Sequence, residues 1–125
     1  MLTDKCYGVN MVLDTGSEDT CFPAVLAQKF GHNNLHPDVE VQENAVQGVG
    51  GMSDAFIHSV QVNLLDPRKT HENKPVIAWT SPFTKASFIE KLDCAHGLIG
   101  MDIMQHWRSI CFEPIRKGVL IRITI

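Results

Sequence analysis

Apolar and polar positions alternate in short runs along most of the 125-residue chain, so short strands predominate among the predicted elements. Tyr7 to Leu13 (YGVNMVL) ends in apolar, β-branched residues and reads as a strand. It enters the polar turn Asp14-Thr15-Gly16-Ser17 directly. Phe22 to Phe30 (FPAVLAQKF) has apolar residues at helical spacing, Pro23 near its start and Gly31 after its end, which predicts a short helix. Asn33 to Pro37 is a loop, and Val39 to Val46 a strand that leads into Gln47-Gly48-Val49-Gly50-Gly51. Ala55 to Leu65 (AFIHSVQVNLL) alternates clearly and completes a β-hairpin with a glycine-rich tip. Asp66 to Lys74 is a charged, Pro-containing loop, and Pro75 to Trp79 another strand. Within Ser81 to Cys94, Lys85 to Leu92 fits a short helix. Gly97 to Gly100 (GLIG) reads as a buried strand, and Asp102 to Trp107 as a short helix with Asp102 as its N-cap. Ser109 to Glu113 and Val119 to Thr124 are strands joined by a turn at Pro114 to Gly118. Many short strands with turn signals and two short helices predict a mostly-β fold, closed or sandwich-like. Trp107 and Phe112 are most simply core residues.

Composition narrows the class. A chain of 125 residues, 44% hydrophobic, fits a single domain spanning residues 1–125 with one core. The net charge of −3 and the lack of a Lys/Arg run argue against nucleic acid as a partner. No apolar stretch approaches the roughly 20 residues of a membrane span, and the segment MLTDKCYGVN has no apolar signal-peptide core. A cytoplasmic protein without a membrane partner is the expectation. Cys6, Cys21, Cys94 and Cys111 form no C-x-x-C pair and are expected to be free thiols. His32 and His36 are four apart, but the Gly/Asn/Pro-rich run GHNNLHPD argues for a loop with no third ligand nearby, so neither a metal nor another cofactor is expected.

Three segments in order then carry a resemblance. MVLDTGSEDT has an apolar strand delivering Asp-Thr-Gly, followed by a small residue, acidic residues and Thr. AVQGVGG is a glycine-rich hairpin tip, and HGLIGMDIM places two apolar residues and Gly before a short helix. Together they resemble the catalytic turn, the flap tip and the apolar-apolar-Gly motif of the retropepsin-like aspartic proteases. The ending GLIGMDIMQHWRSICFEPIRKGVLIRI is more similar to the cellular and bacterial-type members than to the viral ones. The resemblance implies a closed acid-protease half-barrel with a flap hairpin and one or two short helices, functioning as a symmetric dimer. It implies an aspartic endopeptidase acting on a peptide or protein substrate, with Asp14, Thr15 and Gly16 as the catalytic turn.

The chemistry fits those residue types. Peptide hydrolysis without a metal or a covalent intermediate needs one group to take a proton from water and another to give one to the carbonyl oxygen. As is established for aspartic proteases, two carboxylates held close together share one proton and titrate as a pair. This chain has one such turn, so the second carboxylate must come from a second copy across a two-fold axis. By resemblance, the Thr15 hydroxyl crosses the dimer axis, and Gly16 lets the backbone approach substrate. Ser17 stands where viral members often have Ala, and its hydroxyl is in position to hydrogen-bond the Asp14 carboxylate and favour its charged form. An acidic activity optimum is expected. Gly48, Gly50 and Gly51 would let a flap open and close, with Val49 touching the ligand, although an ordinary hairpin tip has the same composition. Glu18 and Asp19 resemble the acidic pair that binds substrate backbone and supports the dimer. The viral Arg that pairs with the first of them is replaced here by Met101. Leu98 reads as core or as the edge of a pocket, and His96 as a pocket residue or an exposed loop histidine.

Thirteen residues precede Asp14, fewer than in viral members, so the C-terminal strand Val119 to Ile125 is the better candidate for pairing between subunits. The segment Ser81 to Ala95 reads as an insertion that shapes or covers the cleft. The competing reading is a dimeric module of the same fold that grips peptides and cuts them poorly or not at all. A phosphate-handling hydrolase with Asp14 as nucleophile fits less well, because no second acidic motif at a strand end and no paired Lys accompany it.

Overall fold

The computed structural model describes residues 7–48, 51–71, 74–90 and 96–125. Strands dominate it: β1 (Met11–Leu13), β2 (Cys21–Pro23), β3 (Glu40–Gly48), β4 (Gly51–Val60), β5 (Asn63–Leu65), β6 (Ile77–Thr80), β7 (Thr84–Ile89), β8 (Gly97–Ile99), β9 (Ser109–Ile115) and β10 (Gly118–Thr124). One short helix, α1 (Met101–Met104), follows β8. Six strands form a sheet in the order β1-β8-β2-β7-β4-β3. Within it β1 runs parallel to β8 and β2 parallel to β7. The remaining strands form two ribbons, β5 with β6 and β9 with β10.

The mostly-β expectation stands, but the sheet is not closed. Its two edges are β1 and β3. The strands that closure would need are committed elsewhere: each ribbon pairs within itself. The ribbons extend the structure through side chains instead, with Leu64, Trp79, Ile110 and Ile123 packing on an apolar cluster around Trp107.

Other expectations also change. The helix anticipated within Lys85 to Leu92 is the strand β7 up to Ile89, and residues 91–95 lie outside the described residues. Its apolar residues satisfy neighbours on both sides, since β7 pairs with β4 through Phe56↔Phe88 and with β2 through Phe22↔Phe88. The helix expected from Phe22 begins instead as β2, because Pro23 is extended at φ −58°, ψ 137°. Two 3-10 turns follow, Ala24–Leu26 and Gln28–Phe30. Gly31 ends them in the left-handed region at φ 83°, where a Cβ would be strained. The long strand expected from Ala55 to Leu65 breaks between Val60 and Asn63. There the buried Ser81 intervenes, accepting from the Val62 N–H with its hydroxyl oxygen and donating its own N–H to the Val62 carbonyl. The expected N-cap Asp102 sits inside the first turn of α1, and Gly100 occupies the cap position. Phe112, expected in the core, is 49% exposed: it shares a face of β9 with Ile110, but it lies further along the ribbon, opposite Ile121, beyond the stretch where Ile110 and Ile123 pack on the Trp107 cluster.

The interior divides into two clusters. Phe22, Ala27, Val60, Ala86 and Phe88 form the first, between the sheet and the 3-10 turns. Ile99, Ile103, Met104 and Trp107 form the second, beneath α1 and the ribbons. Phe88 centres the first. It is fully buried, stacks on Phe22 at 5.1 Å between ring centroids, and meets Phe30 and His58 edge-on at 5.9 and 5.1 Å. Truncating it leaves a cavity bordered by three rings, two of which, Phe22 and His58, are held in place by sheet pairing. Phe88→Ala is therefore expected to cost about 3–5 kcal/mol, read as a lower urea midpoint with an unchanged slope.

Candidate functional site

Asp14 is the first residue after β1. Because β1 lies parallel to β8 with Leu13 opposite Ile99, the Asp14 N–H continues the ladder and donates to the Ile99 carbonyl at 3.0 Å. The chain then turns sharply. The Gly16 N–H donates to Asp14 Oδ1 at 3.0 Å, and the Ser17 N–H to the Asp14 carbonyl at 3.1 Å. This is the local bonding by which Asp side chains organise turns, and it fixes one carboxylate oxygen while the residue stays half-buried. Thr15 and Gly16 are exposed at the apex.

The Ser17 hydroxyl does not reach the Asp14 carboxylate. It donates at 2.7 Å to the carbonyl of Asp19, two residues on, and closes a second local turn. The favourable bond to the Asp14 carboxylate expected from sequence is thus replaced by one that stiffens the exit from the turn.

That exit is joined to α1. The Met101 N–H donates to the Ser17 carbonyl at 2.8 Å, and the Asp102 N–H to the Glu18 carbonyl at 3.0 Å. Thr20 is completely buried, and its N–H and hydroxyl donate to the two oxygens of the Asp102 carboxylate at 2.9 and 2.6 Å. The same hydroxyl oxygen accepts from the Gly100 N–H at 3.1 Å, and Asp102 Oδ1 also accepts from the Ile103 N–H at 2.8 Å. Bonds to a carboxylate are among the stronger ones available to neutral donors. Gly100 is required by space. A Cβ there would lie 2.6 Å from the Asp19 carbonyl carbon and oxygen, where backbone cannot retreat.

The surroundings are acidic. Burial, then the charges of Asp19, Asp102 and Asp14, push the Cys21 thiol up to about 11, so it stays protonated. Its Sγ donates to the Asp19 carbonyl at 3.4 Å. Glu18 and Asp19 are exposed, and among the described residues no cationic side chain pairs with either. Met101 is exposed beside them, so no protein cation comes from that position.

The predicted site residues fall into two groups. Asp14 to Asp19 sit with Leu98, which lies in β8 opposite Val12 and Cys21 and is half-buried. His96 is exposed immediately before β8. Gly48 and Gly51 face each other as the last pair of the β3–β4 hairpin, at the opposite edge of the sheet from β1. Val49 and Gly50 lie outside the described residues. Sequence reasoning missed Thr20 and Asp102 as a positioning pair. The available signal was a polar residue set in apolar surroundings, Thr20 before Cys-Phe and Asp102 within Met-Asp-Ile-Met, each of which needs a partner when buried. His32 stacks on His58, and His36 lies 3.8 Å from the Asp38 carboxylate. Among the described residues no group of three or more His, Cys, Asp or Glu is placed to hold a metal ion. Among them, too, no helix is long and apolar enough to cross a membrane.

No family model and no curated protein matches the chain. Among solved structures it is similar to a retropepsin-like aspartic protease from Rickettsia conorii, at 18% identity and a TM-score of 0.57, over 93% of this chain and 73% of that one. The fold is therefore retropepsin-like.

The buried network supplies a direct check on how the turn is held. Thr20→Val keeps the shape of the side chain but leaves Asp102 Oδ1 and the Gly100 N–H each short of a partner. A loss of about 1–3 kcal/mol is expected, measured by urea denaturation at neutral pH.

Proposed function

We propose that the chain is an aspartic endopeptidase that acts as a symmetric homodimer, with Asp14 and its copy sharing one proton across the two-fold axis. The observation that carries this reading is the setting of Asp14 in a retropepsin-like fold. Its strand is bonded to the Gly-Leu-Ile-Gly strand, its carboxylate is held by Gly16, and its turn is backed by the Thr20–Asp102 network.

In this mechanism the ionised carboxylate of the pair takes a proton from water as the water oxygen bonds to the peptide carbon. The protonated carboxylate gives its proton to the carbonyl oxygen, leaving a neutral gem-diol. Collapse returns a diol proton to one carboxylate, while the leaving nitrogen is protonated by the other and the C–N bond breaks. The Gly16 N–H helps to hold Asp14 in line throughout. The exposed Thr15 faces the partner turn. Glu18 and Asp19 bind the substrate backbone, Ser17 stiffens the turn beside them, and Leu98 and His96 border the pockets. The β3–β4 hairpin is the flap, with Val49 at its tip and Gly48, Gly50 and Gly51 allowing it to move.

Two observations favour a dimer. The sequence contains a single Asp-Thr-Gly. The β9–β10 ribbon leaves Phe112, Ile115, Val119, Leu120, Ile121 and Ile125 at least 40% exposed, an apolar surface suited to a second copy. The reading takes residues 1–125 as one domain, needs no cofactor, and places the enzyme in the cytoplasm.

The wild type is expected to cleave a denatured protein at about pH 4–6, and Asp14→Asn to lose about 10²–10⁴-fold in rate. Specific activity should fall on dilution as the dimer dissociates, followed in parallel by sedimentation. Absence of cleavage under conditions where sedimentation shows dimers would reject the enzyme in favour of the peptide-binding module.

A further inference from the structure

The largest departure from ordinary side-chain chemistry outside the Asp14 turn lies at the base of the β3–β4 hairpin. His58, near the end of β4, is 3% exposed, and His32, in the segment leading to β3, is 6% exposed. Their rings stack at 4.4 Å between centroids and 10° between planes, and both meet Phe88 edge-on. Asn34 ties them to the neighbouring turn. Its Nδ2 donates to the Ala24 carbonyl at 3.2 Å, which leaves its Oδ1 facing His58 Nε2 at 2.7 Å. His58 Nε2 therefore carries the proton, and Nδ1 is the atom open to a second one. His32 Nδ1 is buried with no hydrogen-bond partner, so a proton there would find no acceptor. A cavity of about 320 Å³, lined by Asn33, His36, Asp38, Val39, Ile57 and His58, runs alongside.

We propose that the stacked imidazoles of His32 and His58 are a pH-operated latch: neutral, they hold residues 31–39 against the base of the β3–β4 hairpin, and protonated, they loosen both. The groups facing the pair supply no counter-charge, and the N-terminal amine adds a like charge that lowers both rings further. From β7 come Ala86, opposite His58, and Phe88, both apolar. The nearest cation of β7, Lys85, lies opposite Ser59 and within 3.9 Å of Glu40 of β3. From residues 31–39, Asp38 lies 3.8 Å from His36, not from either stacked ring. Two cationic rings at this separation would repel each other, and among the described residues no carboxylate forms an ion pair with either ring; Asp38, which lines the same cavity as His58, lies instead beside His36.

The direction of the pH effect follows. Burial, followed by the neighbouring His32, lowers His58 from 6.5 to about 4, and burial lowers His32 as well. A released imidazole regains its ordinary value, so the open form binds more protons than the closed form as pH falls below about 6.5. The latch is fully closed above that range and weakens progressively down to about 4. The latch concerns the fold and stands whether or not the chain is a protease. Only its consequence, a hairpin that opens more readily in acid to admit substrate, rests on the catalytic reading.

Hydrogen exchange of the full chain tests it without reference to activity. Between about pH 7.5 and pH 5, after correction for intrinsic rates, protection of residues 31–42 and 55–60 is expected to fall about 30-fold, from the His58 shift alone. Residues 109–124 of the β9–β10 ribbon should keep theirs. His58→Phe, which preserves a stacked ring without a titrating nitrogen, should remove most of the pH dependence. NMR titration of the wild-type His58 ring, expected near 4, covers the case in which that variant does not fold. Protection that is independent of pH, an equal loss in the ribbon, a pH dependence that survives in His58→Phe, or a His58 titration at its ordinary value would overturn the latch.

Discussion

The Asp102 carboxylate accepts from the N–H and hydroxyl of Thr20 and from the N–H of Ile103, and the geometry of the Asp14 turn depends on that arrangement. Thr20 ends the loop that begins at Asp14, and Asp102 begins the helix that follows the Gly-Leu-Ile-Gly strand. Joining them closes a frame: β1 beside β8 at one end, the loop exit against α1 at the other. Inside the frame the backbone bonds from Asp14 to Ile99, from Met101 to Ser17 and from Asp102 to Glu18 have little freedom to lengthen. Gly100 then allows the two backbones to come closer than any side chain would permit. A carboxylate is suited to this place because its two oxygens accept several donors in a plane, and all of those donors are otherwise buried or at a helix start.

How far this was legible in the sequence depends on how local each determinant is. The strand before Asp14, the turn itself and the Gly-Leu-Ile-Gly strand announce themselves through apolar runs interrupted by glycine; the last lies where expected at Gly97–Ile99, while the strand expected from Tyr7 is confined to Met11–Leu13, where β8 lies beside it. The Thr20–Asp102 pair spans 82 residues of sequence, and no periodicity relates its members. β7 was misread for a related reason. Its run Thr-Lys-Ala-Ser-Phe-Ile fits helical spacing as well as alternation, and the decision is made by β4 and β2, which present ladder partners on both sides. Cys21–Pro23 is a strand because β7 is beside it, although Pro23 in isolation suits the start of a helix. Ser17 shows the reverse case, in which a very local bond, to the Asp19 carbonyl, outcompetes the functional partner suggested by resemblance.

The second apolar cluster is covered by side chains of the two self-paired ribbons rather than by closure of the six-stranded sheet. The ribbon leaves Phe112, Val119 and Ile121 exposed beyond the packed ends at Ile110 and Ile123, and among the described residues the edges at β1 and β3 have no further ladder partner. Natural proteins rarely leave such edges and faces bare. Within the proposed homodimer, the need for a second Asp14 and the need to cover this surface are met by the same event, so folding energy and active-site assembly would be coupled.

The two ends of the sheet are secured by different chemistry, and this bears on how they respond to acid. The turn at β1 is held by hydrogen bonds to backbone and to a carboxylate, backed by the apolar cluster of Ile99, Ile103, Met104 and Trp107. The base of the β3–β4 hairpin is held by two buried imidazoles that are stable there only while neutral. A fall in pH therefore acts on the sheet unevenly. It asks for protons at His32 and His58, where burial makes each one costly, and leaves the Gly100–Thr20 and Asp14–Ile99 bonds, neither of which involves an ionisable group, unaffected. In the proposed protease, whose paired carboxylates operate in acid, these two bonds would persist under the conditions that loosen the base of the hairpin.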